Sequence, residues 1–432
     1  MYNNMPMSKN ITNALPELVG AELISEETAQ KITLYYQQKQ QAQPQRMNIV
    51  FGIIGSVLVG LGIILIVAHN WDNLSRPVRV LCAFLPLVIG QFFCGYSLLK
   101  KPQSKTWKES SAVFLFFAVG ASISLVAQVY NISGDLGSFL FTWMLLAVPL
   151  IYIMSSSMVS LLFIAGVTAY GVENGYGYRA VDTYHYWWML LLAIPHYYKM
   201  IQQQRESNFT FFHHWFFPLS LTICLGTLAG SAEEFMFIAY MSLFGVFYLL
   251  GVSNKVSATR VISNGYLVIG SLGTMGILLA LSFRWFWTDL SDKQDMLSVA
   301  EWAAVLVPTS FAVFLLYKNI RNKEEGYINP MRFIFLLFIL IFLIGLSVPL
   351  PGVILMNLLV LAAAIFTMQR GQKLNHLGIL NYGLLIIAAL VVCRFFDTDI
   401  SFVLRGLMFV AVGAGFFFAN SRLMKKRKQY EQ

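Results

Sequence analysis

Three short stretches combine carboxylates, guanidinium groups, amides and aromatic rings at spacings that could hold a charged headgroup. The first, WDNLSRPVR, supplies Trp71, Asp72, Arg76 and Arg79. The second, AQVYNISGDLGSFLFTW, supplies Gln128, Tyr130, Asn131, Asp135 and Trp143. The third, CRFFDTDISFVLRG, supplies Arg394, Asp397, Asp399 and Arg405. Opposite charges beside aromatic rings can pair with each other or grip a polar headgroup through charge-assisted hydrogen bonds. They can equally form an interfacial aromatic belt with helix-capping salt bridges. The first and third stretches both run aromatic residue, aspartate, then arginine further on, a faint hint of an internal repeat.

Other chemistry is poorly represented. The six histidines, His69, His185, His196, His213, His214 and His376, show no HExxH and no Cys/His metal spacing. No phosphate-binding glycine loop and no GxSxG occurs. Cys82, Cys94, Cys224 and Cys393 lie in or beside apolar runs without a CxxC, which fits buried free thiols. No metal, cofactor or catalytic residue is therefore expected.

The elements that must position these stretches are membrane spans. Hydrophobic residues make up 57% of the 432 and charged residues 12%, with a mean hydropathy of +0.64. A soluble domain carries roughly 25% charged residues, so this chain lacks the charge to cover a water-facing surface. The run from residue 48 has about twenty apolar residues before its first polar stretch, enough to cross a bilayer at ~1.5 Å per residue. The expected fold is all-α, a polytopic bundle of about fourteen spans, with twelve possible. The spans fall near 48–69, 77–99, 109–130, 136–154, 157–172, 185–201, 213–229, 234–251, 261–282, 298–317, 332–348, 351–369, 377–393 and 401–421. The pair around Pro349–Gly352 could instead be one re-entrant hairpin.

The net charge of +9 invites a nucleic-acid reading, but the basic residues sit in short loops. With the N-terminus cytoplasmic, most of the 30 Lys and Arg fall on the cytoplasmic side, as the positive-inside rule requires. Both termini are then cytoplasmic, membrane lipids are the expected partners, and no nucleic-acid partner is expected. The three stretches fall at the outer face.

Residues 1–46 have no signal-peptide core and read as a cytoplasmic helical hairpin. Leu15, Leu18, Val19 and Leu23 mark one face, and Ser25 caps a second helix with Glu26 and Glu27 in its first turn. This hairpin could bind a protein partner. Residues 47–422 form the membrane domain and 423–432 a basic tail. Glycines in the first and ninth spans let helices approach closely. Prolines inside five spans, at Pro86, Pro149, Pro195, Pro218 and Pro308, can kink them. No central span position carries a charge, which argues against a midplane carboxylate relay. Glu301 lies near the outer end of its span.

The N-terminal GAELISEETAQKI, the span ending AHNWDNLSRPVR, AQVYNISGD followed by Trp143, and the final RFFDTDISFVLRGLMFVAVGAG carry a resemblance. At these residues the chain resembles DUF2157, a family of bacterial polytopic membrane proteins. The resemblance implies an inner-membrane protein and supplies no activity, substrate or catalytic residue. The leading functional expectation is a transporter or flippase-like protein for an amphipathic or lipid-linked molecule, with an outward-facing polar site. The alternatives are a scaffold or envelope-stress sensor, and a membrane enzyme acting on lipid headgroups.

Overall fold

The computed structural model describes residues 15–16, 18–41, 50–59, 61–62, 65, 74–176, 184–253, 261–291, 296–321, 330–395 and scattered positions of 401–417. Every regular element among them is helical. The chain forms two compact units, Met1–Phe163 and Ile164–Gln432.

The first unit opens with the expected hairpin. A short helical stretch before residue 21 ends in a turn with Glu22 left-handed at φ 57°. Helix α1 (Glu26–Gln41) follows, and the Ser25 hydroxyl accepts from the Thr28 N–H at 3.3 Å. Leu15 is buried and Leu18 and Val19 are half-buried, but Leu23 stands exposed, because it sits in the turn and not on the helix face.

Next come α2 (Val50–Val59), α3 (Arg76–Lys100), α4 (Lys105–Tyr130), α5 (Leu136–Ile153) and α6 (Ser157–Gly175), which runs into the second unit. Helices α3 and α4 pack as a hairpin: the Ser122 hydroxyl donates to the Ala83 carbonyl at 2.6 Å, and Gly90 lets the α4 backbone at Leu115 come close. The turn from α5 to α6 is held from α4. Buried Glu109 accepts from the Ser156 hydroxyl, from the Ser157 N–H at 2.9 Å and from the Met158 N–H at 3.1 Å. One carboxylate thus caps the otherwise unpaired N–H groups at the start of α6.

The second unit continues with α7 (Tyr184–Leu191), α8 (Ile194–Gln203), α9 (Asn208–Leu225), α10 (Met236–Val252), α11 (Gly265–Ala280) and α12 (Arg284–Ser291). Then follow α13 (Val299–Arg321), α14 (Ile334–Ser347), α15 (Pro349–Lys373) and α16 (Leu377–Phe395). Helix α10 is the centre of this unit, buried along most of its length and packed by α11, α13 and α14.

By length and composition, ten described helices can cross a membrane, and Val50–Val59 and Gly265–Ala280 are shorter apolar helices at the first and ninth expected spans. The sixth expected span is instead two short helices, α7 and α8, broken at residues 192–193. Pro195, near the start of α8, lacks the N–H that a continuous helix would use there. Around Pro349 the chain makes two separate long helices, with Val348 extended between them. The last expected span lies largely outside the described residues.

Two hairpins of the second unit close by the same device. In α10–α11, a Cβ on Gly251 would fall 2.6 Å from the Leu267 nitrogen, and one on Gly270 would fall 2.6 Å from the Tyr248 nitrogen. In α15–α16, Gly371 meets the Leu380 nitrogen more closely still, and a Cβ on Gly383 would lie 2.8 Å from the Met368 nitrogen. The second helices of the two pairings begin with GYLVIG and LGILNYG. Backbone contact this close requires glycine on both sides of each hairpin, as small-residue packing in membranes allows.

Candidate functional site

The described members of the first two polar stretches lie in the first unit. Arg76, in the first turn of α3, stacks its guanidinium over the Tyr130 ring at the end of α4, 5.1 Å from its centroid. Arg79 donates from Nε to the Leu74 carbonyl at 2.9 Å and so steadies the chain entering α3. Asn131 adopts the left-handed conformation that ends α4. Asp135 caps α5, accepting the Ser138 N–H at 2.6 Å. That N–H, together with the Ser138 hydroxyl, holds the exposed Asp135 carboxyl below its ordinary range. Trp143 donates from its indole nitrogen to the Phe116 carbonyl at 2.8 Å and lies on Gly120, where a Cβ would collide with the ring. Gln128 is exposed on α4. Arg76 and Tyr130 meet as side chains, while Asn131, Asp135 and Trp143 serve turns and helix packing.

From the third stretch, Arg394 lies buried in the second unit. It donates from Nη2 to the Ser282 hydroxyl at 3.1 Å and covers the Phe283 ring at 4.8 Å. Trp71, Asp72, Asp397, Asp399 and Arg405 lie outside the described residues.

At the Arg394 end of the second unit the described residues are packed and bonded against one another. Asn357 on α15 donates to the Ser282 carbonyl at 3.0 Å. The fully buried Trp287 donates to the Leu281 carbonyl at 2.8 Å, with Gly345 and Gly352 against its ring. Fully buried Glu301, on the first turn of α13, accepts from the N–H groups of Gly230, Ala232 and Ser298 at 2.8–2.9 Å and from the Ser298 hydroxyl at 2.9 Å. Glu234 is buried at this end too, and its Oε2 meets no hydrogen-bond partner among the described residues.

A third cluster joins α8, α9 and α11. The Tyr197 hydroxyl lies 2.5 Å from His214 Nδ1, and His213 Nδ1 faces the Phe209 carbonyl at 2.7 Å, which makes that nitrogen the protonated one. Tyr197 stacks on Phe217 with centroids 4.7 Å apart. Among the described residues no group of three or more His, Cys, Asp or Glu could hold a metal ion.

The opposite end of the second unit is open. A cavity of about 490 Å³ lies between the α10–α11 and α15–α16 hairpins. Its polar rim includes Asn264, Arg370 and His376, and its walls include Leu267, Val268, Leu272 and Ile379. Arg370, in the last turn of α15, donates from Nη1 to the Tyr248 hydroxyl of the other hairpin at 3.2 Å. Deeper in, Ser271 donates to the Tyr382 hydroxyl at 3.0 Å. Asn264 is committed to the turn before α11: its amide donates to the Gly251 carbonyl at 2.7 Å and its Oδ1 accepts from the Leu267 N–H at 3.1 Å. The volume falls within the range of roughly 300–1,000 Å³ typical of small-molecule sites. Sequence reading missed this cavity. Its one forward signal was an arginine ending an apolar span beside two glycine-bearing hairpins.

Residues 16–160 match the family model described as "Predicted membrane protein (DUF2157)". No curated protein and no solved structure matches the chain. The chain is a membrane protein with many apolar helices.

Proposed function

We propose that this chain is a transporter of flippase type for an amphipathic or lipid-linked molecule. The reading is carried by one observation, the cavity between the two glycine-closed hairpins, with apolar walls and a guanidinium at its rim. A scaffold needs no such space, since helices that only hold one another pack to density. In this reading residues 1–46 are a cytoplasmic arm that docks a partner, 47–422 the membrane domain and 423–432 a basic tail. The Arg76–Tyr130 pair belongs to a polar site at the outer face. The membrane is the bacterial inner membrane, and the basic ends of the helices face the cytoplasm.

The test is reconstitution into vesicles carrying fluorescent phosphatidylglycerol or a fluorescent polyprenyl phosphate in both leaflets. Dithionite bleaches only the outer leaflet of empty vesicles. With the protein inserted, bleaching of at least one lipid should run beyond that leaflet. Bleaching that stops at the empty-vesicle level for both lipids would overturn the transporter reading. For orientation, single cysteines placed at Ser104 and Lys426 should resist impermeant thiol reagents in intact cells, and one at Asp292 should react.

A further inference from the structure

We propose that the cavity binds the phosphate-class headgroup of an anionic amphiphile, with Arg370 as the residue that holds the charge. The proposal deepens the transporter reading by naming the class of molecule carried, and the binding it claims is measured apart from transport.

The sign of the site follows from what lines it. No carboxylate stands among the described lining residues, and Arg370 is cationic at every accessible pH. Two helix starts (α11 and α16) and two helix ends (α10 and α15) gather there. Their opposite partial charges offset, so the side chains set the sign. A guanidinium presents its donors as a planar fork that matches two oxygens of a phosphate. Tyr248 fixes one arm of that fork from the facing hairpin.

The gradient of polarity identifies an amphiphile and not a free anion. The rim residues Asn264 and His376 sit where α11 and α16 begin. Leu272 lies two turns into α11, roughly 10 Å deeper at ~1.5 Å per residue. The two hydroxyls at that depth, Ser271 and Tyr382, bond each other and so present little unmet polarity to an occupant. A charged group at the rim and an apolar wall running inward repeat the order of a lipid along the bilayer normal. Under the positive-inside rule this end faces the leaflet rich in anionic lipid.

The experiment uses the full chain in mild detergent, with bound lipid counted by native mass spectrometry. The probes are phosphatidylglycerol, polyprenyl phosphate, phosphatidylcholine and chain-free glycerol phosphate. At least one of the two anionic lipids should bind about tenfold or more tighter than phosphatidylcholine, the range expected for a charge-assisted contact. Whichever binds tighter identifies the source, bulk phospholipid or lipid-linked carrier. Arg370→Gln should erase the preference and Arg370→Lys should restore part of it. Leu272→Trp, which fills the inner end, should weaken lipid binding while leaving the protein monodisperse. Equal binding of anionic and zwitterionic lipid would overturn the proposal, as would a preference that survives Arg370→Gln. Competition by glycerol phosphate as strong as by the lipids would overturn the amphiphile assignment. If Arg370→Gln fails to fold, the headgroup preference of the unaltered protein and Arg370→Lys decide. A protein that shows the preference yet fails the dithionite assay keeps this site and loses the transporter reading.

Discussion

At one end of the second unit Trp287, Glu301, Asn357 and Arg394 fill the space between helices; at the other, Arg370, Tyr248 and Ser271 border a space left open. The same helices, α11, α15 and α16, contribute to both ends. The filled end is the more polar, yet most of its hydrogen-bonding groups other than the buried Glu234 carboxylate are spent on close neighbours: Glu301 on three N–H groups, Asn357 and Trp287 on the Ser282 and Leu281 carbonyls, Arg394 on the Ser282 hydroxyl. The open end carries fewer polar groups around more room. Density of polar residues therefore marks where helices are tied, and a site needs room beside them.

The sharpest way to break this contrast is to open the filled end. Trp287→Ala removes the largest fully buried side chain of the unit and should cost about 3–5 kcal/mol. Thermal unfolding in detergent, followed by loss of the monodisperse peak, would read it. A melting temperature unchanged from the parent would mean that the filled end contributes no more stability than the open one.

Glu301→Gln keeps one accepting oxygen and forfeits the charge. It should cost about 1–3 kcal/mol in the same assay, because several backbone N–H groups lose their acceptor or gain a competing donor. Glu301→Ala should cost more, and an alanine variant as stable as the parent would contradict the tie. At the open end Arg370→Gln should change stability by about 1 kcal/mol, since what it removes is a half-buried rim group with a long hydrogen bond to Tyr248. A large loss there would place Arg370 with the filled-end residues.

The smallest effect belongs to an exposed cap in the first unit. Asp135 is held below its ordinary range by Ser138, so its contribution is full above the unfolded-state value and fades as pH falls through the folded one. Asp135→Asn should keep the α5 cap and remove that acid-side loss. Melting compared between neutral and acidic buffer checks it; an unaltered acid sensitivity would remove Asp135 as its source.

The helical bundle was legible because hydropathy accumulates along a contiguous stretch. The spans over α3, α4, α5 and α6 appear near their expected limits, and so does the Ser25 cap. For Asp135 and Asn131 the sequence leaves headgroup binding and helix capping both open, and in the structure each stands at the end of a helix, Asp135 as a cap and Asn131 in the left-handed turn. Trp143 looked like a belt residue, and its carbonyl partner, Phe116, belongs to another helix. The cavity left little more in the sequence than an arginine at the end of an apolar span. Leu267, Ser271, Thr367 and Tyr382 are ordinary span residues one by one, and only the close approach at Gly251, Gly270, Gly371 and Gly383 brings their surroundings together.

Glu109 imposes an order on synthesis. It emerges 47 residues before Ser156, whose hydroxyl and following N–H groups are its partners. At ~5–20 residues per second the interval is roughly 2–9 s. Through that interval a carboxylate destined for burial must wait in water or at the headgroups, so α4 is not fully committed to the bilayer until α6 begins. Ribosome-bound chains arrested before residue 156 should accordingly hold α4 less firmly than chains arrested after residue 175, as read by protease protection. Glu109→Ala should abolish the difference, and an equal hold in the unaltered chain would remove the timing argument.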